Sequence, residues 1–219
     1  MKWSFFMRVS LSSAYDYRVH YKETGVVWKL SSLFLQHIPF DTQELVFFCI
    51  GTDRSTGDSL GPLTGSFLSE SSLFPFKVIG TLESPLHALN LQQHIDETRL
   101  AHPSAFIVAI DACLGQVSSI GQLLFNSGPI QPGKAVNKEL PPVGDVSIKG
   151  IVNIAGFMEH AVLQSTRLYL PYEMSRTIAR ALQLAHGRRK SKEVQDRNSN
   201  SDYKNARNQI GNSYFSQTN

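Results

Sequence analysis

Residues Gly51 to Pro62 of this 219-residue chain read GTDRSTGDSLGP and set an acid and a hydroxyl side by side in a glycine-punctuated stretch. Ser59 could act as a nucleophile if a histidine base reached it. Asp58 could hold or accept a proton if a second acid stood close by. Either residue could instead cap the helix that follows, accepting backbone N–H bonds worth about 1 kcal/mol. The candidate second acid is Asp111, which closes the apolar run Ala105 to Ile110 (AFIVAI) and lies 111 − 58 = 53 positions further on. Alone it too has a structural reading, because an aspartate at a strand end often orders a turn.

The elements that must position these side chains follow from apolar patterning. Val26 to Ile38 carries apolar residues at helical spacing, with Pro39 after its end. Leu45 to Ile50 (LVFFCI) is a continuous apolar run of strand length, as in a strand covered on both faces. Ser59 to Ser69 reads as a helix that tolerates Pro62 in its first turn. Phe76 to Gly80 is a short strand, Leu86 to Leu100 a helix, and Ala105 to Ile110 a third strand. Ile120 to Asn126 and Val146 to Val152 read as further strands, and Gly156 to Arg167 and Pro171 to His186 as the last helices. Strands alternating with helices predict an α/β fold, a three-layer αβα sandwich with a mainly parallel central sheet. In such sheets the working site lies outside the carboxyl ends of the strands. The loops after strands 45–50 and 105–110 should therefore open at one edge and deliver Asp58 and Asp111 to it.

The predicted domain spans 26–186, with 1–25 as an N-terminal extension and 187–219 as a disordered basic and polar tail, poor in apolar residues. That tail holds seven basic and three acidic residues, a charge of +4, so the formal +3 of the chain leaves 3 − 4 = −1 for residues 1–186. The globular part is thus not a basic nucleic-acid reader. No apolar run reaches the ~18 residues that span a bilayer, and Arg8 interrupts the apolar start, so neither membrane span nor signal peptide is expected. Cys49 and Cys113 form neither a disulfide framework nor a zinc pattern, which suits a reducing cytoplasm. The glycines at 51, 57 and 61 lack the Gly-Lys-Ser/Thr or GxGxxG context of a phosphate cradle.

Gly57-Asp58-Ser59-Leu60 resembles the signature of GDSL serine esterases. There the motif sits directly at the end of the first strand and a late Asp-x-x-His supplies the base. Here Gly51 to Thr56 intervenes, and none of the seven histidines has an aspartate three positions before it. A closer resemblance covers roughly Leu45 to Gln183. CIGTDRSTGDSLGPLTGSFL, the step Ile110-Asp111-Ala112 and QPGKAVNKELPPVGDVSIKG are similar to the YyaC family of sporulation proteins. Through it the chain resembles the germination protease of spore formers and, more distantly, the hydrogenase maturation endopeptidases. The resemblance implies a hydrogenase maturation protease-like sandwich. It also implies catalytic roles for Asp58, within Asp-Ser-Leu-Gly-Pro, and for Asp111, within Ile-Asp-Ala. The maturation endopeptidases hold nickel with a third ligand, a histidine before a Gly-Phe step. Asn153 stands at the similar position before Gly156-Phe157, so no metal and no cofactor is expected.

Two carboxyls in one cleft share a proton, and such a pair can hydrolyse a peptide bond without metal or covalent intermediate. The implied function is an endopeptidase acting in sporulation or germination, in the cytoplasm of the forespore or mother cell. Its substrate would be a protein or peptide, a spore or sporulation protein by the resemblance, and a homo-oligomer is allowed. Thr56, His87, Lys134 and Asn137 are the candidate substrate-binding residues, with Thr52 and Arg54 on the same loop and Glu83 as a third acid. The alternatives are a catalytically silent regulatory or binding protein with a protease-like fold, and a GDSL-type esterase using Ser59.

Overall fold

The computed structural model describes residues 16–42, 44–131 and 142–215, with side chains to residue 195. In chain order the elements are β1 (Tyr17–His20), α1 (Val26–His37), β2 (Leu45–Cys49), a 3-10 turn (Thr56–Ser59), α2 (Leu60–Ser69), β3 (Lys77–Ile79) and α3 (Leu91–Ala101). They continue with β4 (Phe106–Gly115), β5 (Gln122–Asn126), β6 (Val146–Ile154), α4 (Glu159–Gln164) and α5 (Tyr169–Phe215).

The strands form one mixed sheet in the order β1-β5-β6-β4-β2-β3. β2 pairs in parallel with β3 and β4, and β4 in parallel with β6. β5 pairs antiparallel with both β6 and β1, so it alone runs against the other five. All five residues of β2 are buried. Alternation sends Leu45, Phe47 and Cys49 to the face covered by α1, α2 and α5, and Val46 and Phe48 to the face where Leu91 of α3 packs. Helices on both faces of a mainly parallel sheet make the three-layer αβα sandwich that the alternating pattern predicts. Among the described residues no helix is long and apolar enough to cross a membrane.

Four expectations need correction. The third strand does not stop before Asp111. β4 runs on to Gly115 because β6 accompanies it from Val108↔Val146 to Gly115↔Ile154, while the β2–β4 ladder ends at Cys49↔Ile110. Nor does a helix begin at Leu86. Leu86 bridges to Ile50 and its carbonyl accepts the Gly51 N–H (2.8 Å), which keeps it extended, and α3 starts only at Leu91. Residues 16–25 are more than an extension, since β1 extends the sheet beside β5 with Tyr17 opposite Phe125. Finally, the last helix does not end at His186 before an unstructured tail. α5 continues through Gly187 to Phe215. The Arg188 guanidinium lies 3.9 Å from the Trp28 ring centroid and donates to the Ser31 (2.8 Å) and Ser32 (2.9 Å) hydroxyls. Arg189 pairs with Asp41 and Glu193. Low apolar content describes the segment alone, whereas its first turn is held by α1.

Candidate active site

β2 hands over to the site in two steps. The Ile50 N–H donates to the Ile110 carbonyl (2.7 Å), and the Gly51 N–H then donates to Leu86. From there the chain turns sharply through residues 51–55 into the 3-10 turn and α2. Gly51 has φ +140°, a conformation open to glycine, and a Cβ there would lie 2.0 Å from the Asp58 carbonyl oxygen. That oxygen accepts the Thr52 N–H (3.1 Å), and the Asp58 N–H donates to the Ser55 carbonyl (2.9 Å). The loop is thus folded back on itself, which fixes the backbone of Asp58 just beyond the end of β2. Gly61 completes the closure, since a Cβ on it would meet the Ile50 carbonyl oxygen at 2.0 Å.

Asp111 reaches the same place from the sheet. It is the first residue of β4 past the last β2 rung, still paired with β6 through Lys149. Alternation in β4 puts Val108 and Ile110 on the α1, α2 and α5 face and Ala109 on the other, so Asp111 belongs to the α3 face, above the part that α3 covers. The 3-10 turn packs against β4 at this level.

The electrostatics tie the two acids together. Burial pushes the Asp58 carboxyl up to about 8, the charge of Asp111 pushes in the same direction, and the Thr52 amide opposes them. Burial raises Asp111 to about 7 against the pull of the Lys149 ammonium and the Ala112 amide. A like charge nearby disfavours ionisation, and the loop after β2 and the extension of β4 bring both acids to the same end of the sheet. Both residues are half-buried.

Ser59 stands otherwise. It is 3% exposed, and its hydroxyl donates to the Thr56 carbonyl at 2.6 Å within the same turn. It sits at the N-cap of α2 yet makes no side-chain cap bond. A hydroxyl committed to its own backbone and partnered with no histidine fits neither a nucleophile nor a cap.

His87 lies at the expected edge, next to Leu86 and so beside Gly51. Its backbone N–H donates to Asn90 Oδ1 (2.8 Å), and its Nδ1 accepts the Leu89 N–H (3.3 Å). Thr56 opens the 3-10 turn two residues before Asp58. Thr52 Oγ1 accepts the Arg54 N–H (3.3 Å) within the loop, and Glu83 is exposed in the turn after β3. Lys134 and Asn137 lie outside the described residues. Asn153 ties β6 to the α4 region, its amide donating to Thr166 Oγ1 (3.0 Å) and the Val162 carbonyl (3.3 Å). Among the described residues no three of His, Cys, Asp and Glu gather as a metal site would need.

Two residues that sequence reasoning passed over belong to this neighbourhood. Lys149 faces Asp111 across the β4–β6 ladder. The signal was present, a lone lysine inside the apolar run Val146 to Val152. Cys113 follows Asp111 on the same face, and burial pushes its thiol up to about 12, far from a reactive thiolate.

Comparison with known proteins places this geometry in a lineage. Residues 18–181 match the family described as "Protein of unknown function (DUF1256)". The uncharacterised protein YyaC of Bacillus subtilis (strain 168) is 51% identical over 140 residues, which are 64% of this chain and 68% of that protein. Among solved structures, a [NiFe] hydrogenase maturation protease, HycI from Thermococcus kodakarensis KOD1, aligns at 16% identity and a TM-score of 0.48. The alignment covers 71% of this chain and 99% of that one.

Proposed function

This chain belongs to the family described as "Protein of unknown function (DUF1256)", and we propose that it is an endopeptidase that hydrolyses peptide bonds with Asp58 and Asp111 as a proton-sharing pair. The observation that carries this reading is the placement of both acids at one end of the sheet: the loop closed on Gly51 sets Asp58 just beyond β2, and Asp111 stands past the last β2 rung of β4, with the raised Asp58 carboxyl in support. At neutral pH such a pair holds one proton between two acids. The ionised member takes a proton from a water molecule, whose oxygen attacks the peptide carbonyl carbon. The protonated member gives its proton to the leaving nitrogen as the C–N bond breaks. The products are a carboxylic acid and an amine, and the pair is again singly protonated.

Thr56, which opens the 3-10 turn that carries Asp58, and His87, next to the Leu86 bridge to Ile50, are the residues assigned to contact substrate backbone. The similarity of GTDRSTGDSLGP and Ile110-Asp111-Ala112 to the germination protease motifs supports a protein substrate, with sporulation or spore proteins as the first to try.

The test is cleavage of a spore protein extract by wild type, Asp58→Asn and Asp111→Asn, each shown to be folded. The expected loss in either variant is about 100-fold or more. Equal cleavage by all three, or none by any, would rule the assignment out and leave a binding protein on this fold.

A further inference from the structure

The pair is symmetric in chemistry but not in surroundings, and the asymmetry comes from β6. Asp111 and Lys149 are direct partners in the parallel β4–β6 ladder. Adjacent strands lie about 4.8 Å apart, and partners in register project from the same face. Ile148 packs in the α1, α2 and α5 cluster, so Lys149, like Asp111, belongs to the opposite face. On its other side the ladder sets Lys149 opposite Leu124 of β5, an apolar residue buried at 3% exposure. In the sheet, then, Lys149 has an acid as its β4 neighbour and an apolar residue as its β5 neighbour. Cys113 is next on that face of β4, two residues on from Asp111 and opposite Ile151 of β6.

The remaining groups around Asp111 are few. Asp58 faces it from the 3-10 turn. β2 has no rung at this level; the residue that follows it, Ile50, is apolar and donates its N–H to the Ile110 carbonyl, and His87 follows Leu86, which bridges to Ile50 on the far side. Among the described residues, the contribution that lowers Asp58 comes from the Thr52 amide.

We infer that Lys149 is the third member of the site, a positioning residue that holds the negative charge of the pair on Asp111 and leaves the shared proton on Asp58. This rests on the hydrolase reading for its use and extends it by assigning the two roles. Asp111 becomes the base that receives the proton of water, and Asp58 the acid that protonates the leaving nitrogen.

The experiment follows the side-chain carboxyl carbons of Asp58 and Asp111 by NMR through a pH titration of the full chain. The wild type should release its first proton from Asp111. In Lys149→Met the Asp111 step should move up by about one pH unit or more, and Lys149→Arg should restore it. Release from Asp58 first, or an Asp111 step that Lys149→Met leaves in place, would overturn the inference. If Lys149→Met does not fold, the order of release in the wild type decides. The titration needs no substrate, so a failure of peptide cleavage would sink the hydrolase reading while leaving the order of release to be read separately.

Discussion

Gly51 and Asp58 are locked back to back, with the place of a Cβ on Gly51 lying 2.0 Å from the Asp58 carbonyl oxygen. No side chain fits that gap, and φ at Gly51 is +140°. Gly51→Ala should therefore push the 3-10 turn away from β2 and lower stability by roughly 2–4 kcal/mol. Calorimetry would show the loss, and cleavage by whatever fraction folds should fall as well. A variant as stable as the wild type would mean that the loop is not clamped at this point.

The activity should depend on pH as a pair with one shared proton requires. With steps near about 7 and about 8, the singly protonated pair is most populated between them. The profile of kcat/KM should be bell-shaped with its maximum there, and its limbs report the pair rather than either residue. A flat profile from about pH 5 to pH 9 would contradict proton sharing.

Stability should respond to the same carboxyls with the opposite sign from a salt-bridged acid. Folding raises Asp58 from its ordinary 3.8 to about 8. In that interval the folded state keeps a proton that the unfolded state has lost, so stability falls as pH rises and the penalty is complete above about 8. Asp58→Asn removes the titration. It should be more stable than wild type at pH 9 by about 1–3 kcal/mol, with the gap closing toward pH 4. Denaturant unfolding at both pH values measures it, and a gap that does not change with pH would count against the raised carboxyl.

Ser59→Ala separates the two readings of the GDSL stretch. The variant loses one intra-turn hydrogen bond to Thr56 and should be destabilised by about 1 kcal/mol. Peptide cleavage should persist, and a fluorophosphonate probe should label neither protein. Loss of all activity with folding intact would restore the serine.

By itself, the sequence determined the layers and put forward the two acids as candidates. The unbroken run LVFFC and the later strands could only be buried ribbons between helices, because no other placement hides both faces of such strands. Residue type and strand-end position singled out Asp58 and Asp111, since chemistry needs an acid and the carboxyl edge of a parallel sheet is where the loops open. Tertiary structure alone decided the rest. β1 pairs with a strand more than a hundred residues away, so no local pattern could announce it. β4 outruns β2 because β6 runs beside it, and that turned a presumed loop residue into a strand residue with a lysine as its neighbour. The hydroxyl of Ser59 was settled by a carbonyl three residues back. Patterning along the chain reports what must be buried, but the partner a side chain meets is set by register between strands, and register exists only once the sheet has formed.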